Sequence, residues 1–220
     1  MGAIIRLDER HARAYVAEPE TPPRGRILVL HDAFGLLAHV RFLCDELAAN
    51  GFVALAPDLF AGASTQSVTA ASRMLEQLSS ARAERLLSSA IRGFDAIGHS
   101  AGPDAAIGFS VGAEFGYGLA VGSRIEAMVA YYAMPSEADA AALVIPLLTH
   151  WAEHDDWDDH PQPFEIVAEL TDRGVDVESY VYPGTRHGFA NADIAAFELD
   201  AAELAWRRTV DFLTDHLHAA

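Results

Sequence analysis

Two pentapeptides of the form Gly-x-Ser-x-Gly, Gly98-His99-Ser100-Ala101-Gly102 and Gly108-Phe109-Ser110-Val111-Gly112, each present a serine that could attack a carbonyl carbon. The motif has physical content only where a strand turns abruptly into a helix: the serine is held in a strained conformation and the flanking glycines remove Cβ clashes. Ser110 has that context. A buried run, 105–108, precedes it, and Ala113, Phe115, Leu119 and Ala120 follow at helical spacing. After Ser100 come Gly102, Pro103, Asp104 and then the strand itself, which leaves no room for a helix to start beneath the serine. Ser110 is therefore the expected nucleophile and Ser100 a loop residue.

A serine hydroxyl is a poor nucleophile until a base takes its proton, and that base needs an acid to fix its tautomer and stabilise the imidazolium. His187, in Tyr182-Pro183-Gly184-Thr185-Arg186-His187-Gly188-Phe189, lies just past the last expected strand, where open α/β sheets place their chemistry. Asp155 follows the strand that ends near His150 and gives the chain order Ser, Asp, His. Asp156 is its rival, and spacing does not separate the two. The run 150–160 also contains His154, Asp158, Asp159 and His160 but lacks a metal-ligand spacing, so it reads as a solvated acidic loop and no metal is expected. The oxyanion of a tetrahedral intermediate needs backbone donors. One is expected from Val111 at the start of the elbow helix, where the helix dipole favours negative charge. The other is expected from the loop His31-Asp32-Ala33-Phe34-Gly35, at Ala33. Phe34, Trp151, Trp157 and Phe189 are candidates to line an apolar pocket above Ser110, the alternative for each being the core.

Residues 4–7 and 13–16 read as a hairpin and 18–25 as a surface connection. Strands are predicted at 27–30, at 52–56 (ended by Pro57), and at 105–109, 127–132, 144–150 and 175–182. A helix with Val40, Leu43, Cys44 and Leu47 on one face stops at Gly51. Two helical stretches across 66–94 follow, carrying Met74, Leu78, Leu86, Leu87 and Ile91. Further helices are expected at 111–121, 164–173 and 195–217. This alternation predicts a mainly parallel central sheet with helices on both faces and right-handed crossovers. Residues 1–220 read as a single domain, with no inserted block large enough to form a separate cap domain.

Hydrophobic content of 51% against 21% charged residues supports a packed core rather than disorder. A net charge of -17 argues against nucleic-acid or anionic-membrane partners, which require clustered Lys and Arg. No stretch reads as membrane-spanning and no signal-peptide pattern opens the chain, so a cytoplasmic protein is expected. The single cysteine, Cys44, has no partner for an internal disulfide and is expected to be a buried thiol.

Together these residues resemble the dienelactone hydrolase family over about 27–212. The likeness is carried by 27–36, by Gly51-Phe52-Val53-Ala54-Leu55-Ala56-Pro57-Asp58-Leu59-Phe60, by Gly108 to Gly112 at the nucleophile turn, by Asp155 before Asp156 and Trp157, and by His187-Gly188-Phe189. The resemblance implies a compact α/β-hydrolase domain that cleaves a small-molecule ester or lactone without a cofactor, as a monomer or small homo-oligomer. There are departures. The founding members use a cysteine where this chain has Ser110, and a glutamate where it has Asp32, which could orient water, contact Ser110 or cap its loop. They also clamp a substrate carboxylate with arginines, one of them near the position of Asn191; Arg73 and Arg186 are alternative cations, and neutral esters are favoured. Two other readings are an acyltransferase, in which an alcohol or amine replaces water, and a binding protein with a vestigial triad, against which the intact Ser, Asp and His set argues.

Overall fold

Short runs of small and branched apolar residues, such as Ile27-Leu28-Val29-Leu30 and Phe52-Val53-Ala54-Leu55, are buried on both faces and set the strands. The computed structural model describes residues 1–7, 12–99, 102–122, 124–157 and 163–217. Its contacts divide them into two compact units, Met1–Asp104 and Ala105–Leu217.

The first unit contains β1 (Ala3–Arg6), β2 (Arg13–Ala17), β3 (Gly25–Leu30), α1 (Ala38–Ala49), β4 (Phe52–Pro57), α2 (Val68–Glu76) and α3 (Ser80–Ala96). Its strands lie in the order β1-β2-β4-β3, antiparallel in the hairpin and between β2 and β4, parallel between β3 and β4. α1 buries His39, Val40, Cys44 and Leu47, with Leu43 at the margin, and ends before Gly51, whose φ of 91° a side chain would resist. Each fully buried aliphatic side chain on this face contributes roughly 1.5–3 kcal/mol. Cys44 is buried, and that burial pushes its thiol up. In α2 and α3 the buried face differs in part from the expected one: Ala71, Ala83, Leu87, Ala90 and Phe94 are buried, whereas Met74, Leu86 and Ile91, and Leu78 between the two helices, are half-exposed. Alanines allow close approach to the strands, and the larger side chains sit at the rim. After β3, His31 is fully buried, with Nδ1–H donating to the Asp32 carbonyl (2.7 Å) and Nε2 accepting from Leu59 N–H (3.1 Å). Burial pulls the imidazole down and keeps it neutral, as the acceptor role requires.

The second unit contains β5 (Ala105–Phe109), α4 (Val111–Val121), β6 (Ala127–Tyr131), α5 (Glu137–Ala142), β7 (Leu147–His154), α6 (Pro163–Asp172), β8 (Val177–Arg186) and α7 (Leu199–His216). Its strands are all parallel, in the order β5-β6-β7-β8. Three boundaries depart from the sequence reading. β7 begins after Pro146, not at Val144, which is 73% exposed; Pro146 has no N–H for the ladder and offers only its carbonyl, to Met128. β8 runs on to Arg186 through Pro183, which an edge strand tolerates. α7 starts at Leu199, because residues 189–198 form turns closed by Glu198 N–H on the Phe189 carbonyl. α5 was not expected; Ser136 caps it by accepting from Asp139 N–H.

A buried polar network ties this unit together. His150 Nδ1 meets Tyr182 Oη at 2.8 Å, His150 Nε2 meets Thr209 Oγ1 at 3.0 Å, and Tyr131 Oη meets the same Thr209 hydroxyl at 2.7 Å, joining β6, β7, β8 and α7. Burial, helped by the positive charge of Arg208, pushes His150 down to about 3. Among the described residues no helix is long and apolar enough to cross a membrane.

Candidate active site

Ser110 sits between the last residue of β5 and the first of α4, at φ 51° and ψ -124°. A non-glycine residue there costs on the order of 1–3 kcal/mol, so its surroundings must hold it. They do so on both sides: Ser110 N–H donates to the Tyr131 carbonyl of β6 at 3.0 Å, and the Ser110 carbonyl accepts from Ala113 and Glu114 as α4 begins. Gly108 is required by the same turn, since a Cβ there would stand 2.3 Å from the Ala113 Cα. As the first residue of α4, Val111 has an N–H with no carbonyl one turn back to receive it.

The strands bring Asp155 and His187 together. β7 and β8 pair regularly to Ala152↔Tyr182, and the next pair is His154↔Arg186. Two residues on β7 are thus matched by four on β8, the surplus being taken up around Pro183 and Gly184, where Gly184 has φ 76° and donates its N–H to Glu153 Oε2 at 2.6 Å. Asp155 and His187 leave the ends of the paired strands side by side. His187 Nδ1 lies 2.9 and 2.8 Å from the two Asp155 oxygens, and His187 Nε2 lies 2.9 Å from Ser110 Oγ. A carboxylate only accepts, so Nδ1 carries the proton and Nε2 is free to accept from the serine hydroxyl. Asp155 Oδ1 also accepts from Trp157 N–H at 3.0 Å. Asp156, the rival acid, instead pairs with Arg186 at 3.0 Å, and both side chains are exposed. Chemically, this chain of contacts can draw the proton off Ser110 Oγ and hold the resulting imidazolium against a carboxylate.

The other candidates fall into separate roles. The indole of Trp157 stacks on His187, with ring centroids 5.4 Å apart and planes at 19°. Trp151 is buried, and its indole N–H donates to Ser179 Oγ of β8 at 2.9 Å; Phe189 is fully buried against Tyr132 and Tyr182. Both are core positions. Asn191 is fully buried and its Oδ1 accepts from Asp193 N–H, closing a local turn. Asp32, Ala33 and Phe34 are buried in the loop after β3 of the first unit, where Asp32 Oδ1 accepts from Phe34 N–H and so caps that loop. Arg73 is exposed on α2, and Arg186 is engaged by Asp156. Ser100, Ala101, Asp158, Asp159 and His160 lie outside the described residues. His154 approaches Glu153 (3.6 Å), and among the described residues no group of three or more His, Cys, Asp or Glu could hold a metal. One neighbour of the site had no signal in the sequence: Tyr132, at φ 41°, packs its ring 4.9 Å from His187.

The profile of the dienelactone hydrolase family matches residues 12–217. The chain belongs to the dienelactone hydrolase family. Among relatives in this family, it is 31% identical to an Azospirillum brasilense protein that bears the provisional name carboxymethylenebutenolidase, with 96% of each chain covered. It is 25% identical to Protein usf of Aquifex pyrophilus, covering 99% of this chain and all of that one. Among solved structures, a dienelactone hydrolase-like promiscuous phosphotriesterase from metagenomic libraries matches with a TM-score of 0.77 at 21% identity, over 99% of both chains. The fold is that of the α/β hydrolases.

Proposed function

We propose that this family member hydrolyses a small neutral ester or lactone by two-step acyl transfer. The observation that carries the proposal is the hydrogen-bonded chain from Ser110 Oγ through His187 to Asp155. In the first step Ser110 Oγ bonds to the carbonyl carbon as its proton passes to His187 Nε2. The tetrahedral oxyanion is held by Val111 N–H at the α4 N-terminus. One such donor is worth roughly a hundredfold to a thousandfold in rate. The intermediate collapses, the C–O bond to the leaving group breaks, and His187 returns its proton to the departing oxygen. In the second step water attacks the acyl carbon as His187 takes its proton, the C–Oγ bond breaks, and His187 passes the proton to Ser110 Oγ, releasing the carboxylic acid and the free serine. Asp155 stays ionised throughout and stabilises the imidazolium formed in each step.

The preference for a neutral acyl group rests on charge. The chain carries -17 overall, and Arg186, the cation nearest His187 in sequence, is already paired with Asp156. Reaction of the folded protein with a fluorophosphonate probe tests the proposal. A single adduct mapping to the peptide that contains Ser110 is expected. An adduct at Ser100 alone, or none on the folded protein, overturns it.

A further inference from the structure

Trp157 is a large apolar side chain that remains 41% exposed. Burial therefore does not account for its conformation, which two contacts fix instead. Its main-chain N–H donates to Asp155 Oδ1 at 3.0 Å, and its indole stacks on the His187 imidazole at 5.4 Å and 19°. One residue thus touches both the acid and the base of the site.

We infer that Trp157 is a positioning residue: its backbone anchors the Asp155 carboxylate while its indole face holds the His187 ring in line with Ser110 and shields the His187–Asp155 bond from water. The inference rests on the acyl-transfer reading above, and it assigns Trp157 a task other than lining a substrate pocket. In that reaction His187 becomes a cation twice per turnover, and an indole face within about 6 Å attracts such a cation through its ring quadrupole. The stack also limits rotation of an imidazole that must keep Nδ1 on Asp155 and Nε2 on Ser110 at once. Among the described residues, the groups facing His187 are Asp155, Ser110, the Tyr132 ring and the Trp157 ring, while the nearby charges Asp156 and Arg186 neutralise each other. Only the side-chain half of the hold is open to substitution, because the N–H to Asp155 survives any replacement except proline.

The test compares wild type with Trp157→Leu and Trp157→Phe on a short-chain nitrophenyl ester. Because the side chain is exposed, neither change threatens folding, and far-UV circular dichroism checks that. Trp157→Leu should lower kcat roughly three- to tenfold with KM within about twofold, and Trp157→Phe, which restores an aromatic face, should recover most of the loss. A second readout is independent of turnover: the far-downfield proton NMR resonance of His187 Nδ1–H on Asp155. It should be sharp in wild type and in Trp157→Phe, and broadened by water exchange in Trp157→Leu. A rise in KM with unchanged kcat would mean that the indole binds substrate, and an unaltered kcat with a sharp resonance in Trp157→Leu would mean that the stack is idle; either result overturns the inference. Should Ser110→Ala keep full activity, the reaction scheme is wrong, and the resonance in Trp157→Leu still decides whether Trp157 positions His187.

Discussion

Arg186 pairs with His154 two residues further along β8 than the regular ladder would bring it: continuing from Ala152↔Tyr182, His154 would face Gly184. That displacement sets Asp155 beside His187, the residues that follow the pair. The edge strand absorbs two extra residues in a bulge, and the register that resumes after it, rather than any feature of Asp155 or His187 themselves, puts acid and base side by side.

Deleting Pro183 and Gly184 together should close the bulge into a regular ladder in which Arg186 still faces His154, so that Asp155 and His187 still leave the strand ends side by side. We expect the deletion variant to keep ester hydrolysis within about tenfold of wild type, whereas a misplacement near 1 Å would lower it about a hundredfold. Gly184→Ala keeps the insertion and forces a side chain into a left-handed conformation, for about 1–2 kcal/mol of stability and a modest loss of rate. Urea unfolding and steady-state kinetics on both variants check this. A loss of about a hundredfold or more in the deletion variant would show that the bulge itself, rather than the register that follows it, positions the pair.

Asp155→Asn removes the charge that opposes the His187 imidazolium and allows the wrong tautomer. A drop in kcat of roughly a thousandfold to ten-thousandfold is expected. Asp156→Asn breaks only an exposed ion pair with Arg186 and should leave kcat within about twofold, with a stability change below about 1 kcal/mol. Comparable losses in the two variants would show that Asp156 shares the role.

His150 is neutral in the fold, pushed down to about 3, whereas it protonates near 6.5 when the chain unfolds. A group with a depressed pKa contributes stability that is present above the unfolded value and is lost as pH falls toward the folded one. His150 alone should thus cost wild type roughly 2 kcal/mol between pH 7.5 and pH 5. His150→Gln removes that term and flattens this part of the profile, while at pH 7.5 it is less stable by roughly 1–3 kcal/mol through the disturbed bonds to Tyr182 and Thr209. Urea midpoints at the two pH values measure both effects. Equal slopes in the two proteins would contradict a neutral buried His150.

The strand and helix around Ser110 were readable because a buried run, a glycine that no Cβ could replace and a helix of small residues stand next to one another in the chain. The choice between Asp155 and Asp156 was not readable: adjacent identical residues differ only in where the end of β7 directs them, and that follows from the register that resumes after the bulge in β8. The large apolar residues Met74, Leu86 and Ile91 point to one face of α2 and α3, but the buried face is mostly alanine, whose apolar signal in a sequence is weak although it fits closest to the strands. Val144 was drawn into β7 by its β-branched side chain, and Pro146 decided otherwise. Trp151 and Phe189 show that aromatic residues near a site in sequence can belong to the core behind it, while Tyr132, in no motif, reaches His187 from the end of β6.

In the proposed reaction the hydroxyl of Ser110 is the attacking group. The most direct measurement of this is hydrolysis of a short-chain nitrophenyl ester by Ser110→Ala beside Ser100→Ala. Ser110→Ala should lose at least about a thousandfold in kcat/KM while Ser100→Ala stays within about twofold of wild type. Retained hydrolysis in Ser110→Ala, or its loss in Ser100→Ala alone, would contradict attack by Ser110.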